Sequence, residues 1–161
     1  MELANLDLAT LDATELTKKF VHLSPHNKAL GMILESLTPP TGLMRLPYKD
    51  ILVGNPETGV IHGGVITTLI DSISGLVSVM SRPKLIGMAT LDLRIDYLKP
   101  ATPNIDLLAQ ARVYKETRLF SFVRCVAYHE HLDDPVAHGT GVFMVTGTDP
   151  VLNLGEVGVA S

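Results

Sequence analysis

Between Gly63 and Met80 the chain carries one charged residue, Asp71, and Pro83 follows closely. Apolar residues recur there three and four apart: Val65, Ile66, Leu69, Ile70, Ile73, Leu76, Val77 and Met80. That spacing predicts one long helix with a broad apolar face. Gly64, Thr67, Thr68, Asp71, Ser74, Gly75 and Ser78 fall on the other side. Two strand-like runs precede this helix, Leu30 to Thr38 and Gly42 to Tyr48, and the pair reads as a hairpin. Four more follow, at about 85–98, 104–115, 119–129 and 135–146, separated by short turns. In the first of these, Leu91, Leu93, Ile95 and Tyr97 alternate with Asp92, Arg94 and Asp96. Consecutive strands with short turns pair antiparallel. The expectation is a two-layer α+β domain with the helix lying across one sheet face, because no other element can cover that much apolar surface.

With 161 residues the chain suffices for one domain with a real core. It divides into a helical extension over 1–29, a main domain over 30–146 and an irregular tail over 147–161. In the extension, Leu16, Phe20 and Val21 share a face of a short helix expected over 12–22, with Asp12 or Thr14 as cap. Net charge is −4 with no basic block, and aromatic residues are few, which argues against a nucleic-acid partner. Cys125 is the single cysteine, so no disulfide forms within the chain, and its alternating neighbours make it a small buried strand residue. The N-terminus carries acids where a signal peptide carries lysine or arginine, and no apolar run approaches the ~20 residues of a membrane helix. A soluble, cytoplasmic protein is expected.

His62-Gly63-Gly64 opens the central helix. Amide N–H groups at a helix start lack intrahelical acceptors and favour an anionic or polarised oxygen. Asp71 is a lone acid on an otherwise uncharged helix, a costly placement unless the carboxylate is solvated, paired or used. An oxyanion donor and a base or nucleophile therefore stand on one helix. At ~1.5 Å per residue they are roughly 12 Å apart, too far to act on one carbonyl. Two such helices, antiparallel about a two-fold axis, would bring Asp71 of one chain to the Gly63 end of the other. The spacing thus predicts a dimer with two equivalent interfacial sites.

At these residues the chain resembles the hotdog-fold acyl-CoA thioesterases, in their phenylacetate-degradation (PaaI-like) branch. The resemblance is carried by Asn55, His62-Gly63-Gly64, Leu69-Ile70-Asp71 and the run Thr90 to Ala101, which ends Tyr97-Leu98-Lys99-Pro100-Ala101. Val136 to Phe143 also fits, so about residues 30–146 are covered. It implies a curved antiparallel sheet around the central helix, a homodimer sharing one sheet, pairing again into a tetramer, and hydrolysis of an acyl-CoA thioester without metal or cofactor. By the resemblance, the Gly63 N–H holds the thioester oxygen, and Asp71 of the partner subunit attacks or activates water. Thr90 helps place the water or nucleophile, His62 sets the loop and thioester, and Asn55, one residue farther from His62 than is usual in the family, positions water. Gly64, Thr68 and Ser72 border the substrate. Arg118 matches a position that often carries arginine and would face the CoA phosphates, with Lys115, Arg82 and Lys84 as further basic candidates.

Two other chemistries are disfavoured. His129, Glu130, His131, Asp133 and Asp134 crowd a turn, where exposed polarity explains them better than a metal. No Gly-x-Ser-x-Gly elbow is present for a serine hydrolase. Two rival functions stand beside hydrolysis: an enoyl-CoA hydratase or dehydratase, for which His62 is the one histidine near the helix, and an acyl-CoA binder without turnover.

Overall fold

The computed structural model of the protein describes residue 15, residues 17–83 and residues 86–150, with side chains in the last strand as far as Gly147. Of the expected 12–22 helix, Asp12, Thr14 and Leu16 lie outside the described residues, as does Lys84; Thr17–Val21 forms one π-helical stretch. A helix the sequence reading lacked follows at once, α1 (Pro25–Leu30). Its signals are local: the Asn27 N–H donates to Ser24 Oγ at the N-cap, Pro25 opens the first turn, and Gly31 closes it at φ 77°. Each of those residue types favours its position.

The strands are β1 (Ile33–Thr38), β2 (Thr41–Leu46), a short ladder of β3 (Val53–Asn55) with β4 (Val60–Ile61), then β5 (Ile86–Tyr97), β6 (Leu107–Glu116), β7 (Phe120–Tyr128) and β8 (Ala137–Pro150). The long helix α2 spans Gly63–Met80 and sits between β4 and β5 in the chain. Leu30, expected to begin β1, is the last residue of α1. Six strands form one sheet in the order β1-β2-β6-β7-β8-β5, with every pairing antiparallel.

The helix packs on one face of this sheet. Ile66, Leu69, Ile70, Ile73 and Val77 are buried against Met44, Leu107, Ala109, Ala111, Val123, Ala127 and Phe143. Each large aliphatic side chain fully removed from water contributes about 1.5–3 kcal/mol. Small residues on the strands set how close the helix comes. A Cβ at Gly139 would stand 2.5 Å from Ile70 Cγ2, and one at Gly42 would stand 2.7 Å from Val77 Cγ1. Two residues assigned to the polar side of α2 face the core instead: Ser74 and Ser78 are buried, and Ser78 Oγ donates back to the Ser74 carbonyl at 2.8 Å. That back-bond satisfies a hydroxyl that would otherwise be costly in the interior. Cys125 is buried in β7, and burial pushes its thiol up to about 12. α2 has the length and mean hydropathy of a short membrane span, yet its buried residues are seated on the sheet.

The two sheet edges differ. At β1 the Leu34 N–H donates to Thr17 Oγ1 at 2.8 Å, so the π-helical stretch closes that edge. The outer edge of β5 has no strand partner among the described residues, and Leu91, Tyr97 and Leu98 are all more than half exposed. β5 also carries a bulge between Thr90 and Asp92. Thr90 pairs with Phe143, while Leu93, Ile95 and Tyr97 pair with Gly141, Gly139 and Ala137, which lie on the same side of β8 as Phe143. The extra residue therefore turns Thr90 and Tyr97, seven positions apart, to the same face, that of the helix.

Candidate active site on the central helix

The start of α2 is held by its surroundings. The His62 N–H donates to the Leu52 carbonyl at 2.9 Å, and a Cβ at Gly54 would stand 2.7 Å from His62 Cα, so the β3 backbone lies directly against the residue before the helix. His62 is the N-cap, with extended backbone at φ −62° and ψ 133°, and its Nδ1 accepts the Gly64 N–H at 2.9 Å. That bond assigns the ring proton of neutral His62 to Nε2. The Gly63 N–H has no acceptor among the described residues. It is the donor that the sequence marks for an oxygen ligand.

At the next peptide, Tyr97 of β5 reaches α2. Its Oη donates to the Gly63 carbonyl at 2.8 Å and lies 2.7 Å from Thr67 Oγ1, which is itself 3.2 Å from that carbonyl. An open cleft of about 370 Å³ begins here, lined by Val60, Ile61, Gly63, Ile66, Tyr97 and the segment Leu98 to Ala101. Tyr97 is not among the site residues expected from sequence. Its signal was present, a tyrosine closing a strand immediately before Leu98-Lys99-Pro100, but which helix turn its hydroxyl meets is a tertiary fact.

Two turns along α2, Thr90 Oγ1 donates to Asp71 Oδ1 at 2.8 Å. This brings two candidates together within one chain. The hydroxyl engages one carboxylate oxygen and leaves the other free, on a half-buried side chain. Gly63 and Asp71 are not brought together; they keep the separation that the helix imposes.

The remaining candidates scatter. Thr68 Oγ1 donates to the Gly64 carbonyl at 2.9 Å, and Ser72 Oγ donates to Asn27 Oδ1 of α1 at 3.1 Å, so the helix face expected to border substrate is covered in part by the N-terminal segment. Asn55 turns its Oδ1 to the Glu57 N–H at 3.0 Å, which organises the turn into β4. Arg118 is exposed in the β6–β7 turn. Arg82, its equivalent by charge alone, differs: its side chain is largely buried, 3.3 Å from Glu116 Oε1, and donates to the Thr117 carbonyl and Ser121 Oγ. It fastens the end of α2 to the β6–β7 turn.

His129 is likewise engaged. Its Nε2 accepts the Thr102 N–H at 2.8 Å and its Nδ1 lies 2.9 Å from the Asp106 carbonyl, so the ring braces the segment after β5. Asp106 supports the same region. It accepts the Tyr48 N–H and pairs with Arg45, contacts that hold its carboxyl below the usual range; Glu35 first, and Asp106 beside it, hold the Arg45 guanidinium above its own. Tyr48 Oη in turn donates to the Gly59 carbonyl.

Comparison with known proteins fits this geometry. Residues 58–135 match the family described as the thioesterase superfamily. The medium/long-chain acyl-CoA thioesterase YigI of Escherichia coli K12 is 37% identical over 94 residues, 50% of this chain and 61% of that protein, so the chain spans less than two thirds of that relative's length. A crystal structure from Pseudomonas aeruginosa is 39% identical over 82% of this chain and 98% of that one, with a TM-score of 0.74. The Escherichia coli PaaI protein from the phenylacetic acid degradation operon shares the fold, with a TM-score of 0.72 over 84% of this chain and 94% of that one at 18% identity. A six-stranded antiparallel sheet carrying one long helix, the match over the stretch that builds α2 and β5, and these likenesses make the chain a hotdog-fold member of the thioesterase superfamily.

Proposed function

We propose that the chain hydrolyses acyl-CoA thioesters to a free acid and CoA at two equivalent sites, each shared between protomers of a homodimer. The observation that carries the reading is the separation on α2. A free Gly63 N–H and a threonine-held Asp71 carboxylate suit one thioester, yet stand eight positions apart on a rigid rod. The open β5 edge supplies the means. Exposed Leu91, Tyr97 and Leu98 and an unpaired strand edge favour pairing with β5 of a second copy. An antiparallel pairing about a two-fold near the middle of β5 would set the Thr90 end of one strand beside the Tyr97 end of the other. Asp71 would then meet the Gly63 end across the interface.

In the reaction, the Gly63 N–H donates to the thioester oxygen as negative charge develops there; a single preorganised donor of this kind is worth ~2.7–4 kcal/mol of barrier. The Asp71 carboxylate attacks the carbonyl carbon to give an acyl-aspartyl anhydride and CoA thiolate, and water then cleaves the anhydride. In the general-base form, Asp71 takes a proton from water as its oxygen attacks, and that proton passes to the departing sulfur. Both routes balance without a metal or redox cofactor. Thr90 orients the carboxylate, and the His62 Nε2–H is free to donate toward bound thioester. Asn55 supports the loop before the helix. Gly64, Thr68 and Ser72 border the bound acyl group, Ser72 beside Asn27. Exposed Arg118 and Lys115 in and beside the β6–β7 turn offer charge to CoA phosphates, and a second pairing of dimers gives a tetramer. The apolar cleft at the Gly63 end, together with the description of YigI, directs attention to medium and long acyl chains.

The test is a steady-state panel of short, medium, long and aromatic acyl-CoAs, with free CoA measured. Release of CoA by the native protein and its loss in Asp71→Ala, with folding and dimerisation retained, is the expected result. Saturable binding without CoA release would mark a binder, and water addition to an enoyl-CoA would mark a hydratase.

A further inference from the structure

The hydroxyl of Tyr97 has no place in the chemistry above, yet it is aimed at the peptide that adjoins the proposed oxyanion donor. Tyr97 is half exposed, so its phenol could have hydrogen-bonded to water at no cost. Instead Oη sits 2.8 Å from the Gly63 carbonyl and 2.7 Å from Thr67 Oγ1. With Tyr97 donating to the carbonyl, Thr67 can donate to Oη, a short chain of hydroxyls ending on one peptide oxygen. The N–H of that same peptide, belonging to Gly64, donates to His62 Nδ1 at 2.9 Å. The 63–64 peptide is therefore gripped at both ends, its oxygen by β5 and its nitrogen by the N-cap.

Two adjacent glycines are the least restrained backbone available for such a position. An oxyanion donor must nevertheless be fixed before charge develops, because reorganising it during the reaction forfeits part of its effect. The bulge in β5 shows how the contact is made. In a regular strand, residues seven positions apart face opposite sides, so one of Thr90 and Tyr97 would face away from α2; with the bulge between Thr90 and Asp92, both hydroxyls face the helix, one at each half of the site.

We infer that Tyr97 is a positioning residue for hydrolysis: its hydroxyl clamps the Gly63–Gly64 peptide and so holds the Gly63 N–H in its oxyanion-binding orientation. This rests on Gly63 being the oxyanion donor, and the experiment separates the two ideas. Tyr97→Phe keeps the ring and removes the clamp. Turnover of the best acyl-CoA and amide hydrogen exchange at Gly64, resolved by NMR, are measured on native and variant dimers. The expected result is a fall in kcat of about 10-fold or more with KM within about twofold, and faster exchange at Gly64. A purely structural tyrosine would lower the melting temperature and leave kcat and Gly64 exchange unmoved, which overturns the inference. A fall in kcat with unchanged Gly64 exchange would assign the hydroxyl to substrate contact and overturn it also. If the native protein turns over no acyl-CoA, the hydrolase reading fails by itself. Unchanged Gly64 exchange in the variant then disposes of the clamp, and faster exchange upholds it as a brace on this helix start.

Discussion

At the Gly63 end of α2, β5 delivers a tyrosine hydroxyl onto a backbone carbonyl; two turns on, it delivers a threonine hydroxyl onto a carboxylate. The first region is closed upon itself. His62, Thr67, Tyr97 and the Leu52 carbonyl satisfy its polar groups and leave one N–H over, beside an apolar cleft. The second region is sparse: Asp71 has Thr90 on one oxygen and no further hydrogen bond among the described residues. On the proposed reading one place holds an oxygen still and the other keeps a carboxylate oriented and available. A single helix cannot fold back to join them, so on that reading the unit of function is larger than the unit of folding.

Disabling each region in a separate chain and mixing the chains shows whether the two regions act together. Asp71→Ala alone should lower kcat by about 10²–10⁴-fold, the usual yield of a positioned acid or base. For the other region Gly63→Pro is apt, because proline is well tolerated at the first helical position and removes only the N–H in question. His62 already has the extended backbone that a following proline requires, and a Cβ at position 63 would meet Tyr97 Oη at an ordinary 3.4 Å. Loss of this donor should lower kcat by about 10²–10³-fold with α2 intact by circular dichroism. Co-refolding the two inactive variants in equal amounts then decides the matter. If sites are shared, half of the dimers are mixed, and each mixed dimer holds one site with both groups native. Activity should return to about one quarter of the native rate. If each chain carries its own complete site, mixing restores nothing.

A smaller effect tests whether the N-terminal segment belongs to this site. Asn27→Ala removes the acceptor of Ser72 Oγ one position beyond Asp71. Removing a partly exposed hydrogen bond should cost about 0.5–1.5 kcal/mol in urea unfolding. A shift in preferred acyl length between native and variant would show that α1 also walls the substrate. An unchanged chain-length profile would confine α1 to bracing the helix.

Much of this was legible in the chain. The bounds of α2 are written locally: a histidine–glycine–glycine start, a 3.6-residue apolar period and a proline soon after the end. Asp71 stood out because no other charge lies on that helix. What escaped the sequence reading depends on tertiary position or on breaks in period. Strict alternation along β5 puts Thr90 and Tyr97 on opposite faces, and the bulge that reunites them leaves no residue signature. Ser74 and Ser78 look like a polar stripe until the sheet is placed beneath them, where their small size lets the helix seat. Arg82 and Arg118 are equivalent as letters; Glu116, Ser121 and the Thr117 carbonyl bury the first and leave the second in solvent. α1 is only six residues long, and an apolar Leu30 beside β1 drew it into the strand despite its proline and glycine marks.

The smallest predicted effect separates the two regions by pH. Asp106 braces the Gly63 end: it accepts the Tyr48 N–H, Tyr48 Oη holds the Gly59 carbonyl, and Gly59 lies just before β4 and the helix start. The Tyr48 N–H first, and Arg45 beside it, hold the Asp106 carboxyl below its ordinary value of 3.8. A carboxylate depressed in the folded state contributes stability that is fully present above the unfolded value and is lost as pH falls through the folded one. The native protein should therefore lose melting temperature below about pH 4 more steeply than Asp106→Asn, which has no such proton to bind. Because the pair is partly exposed, the difference should correspond to less than about 1 kcal/mol. Hydrogen exchange at pH 3.5 should show where the loss falls. Amides of β4 and the first turn of α2 should open before those around Asp71 and Thr90. Simultaneous opening of both regions would mean that the two halves of the helix are supported as one unit, and the contrast drawn between them would fail.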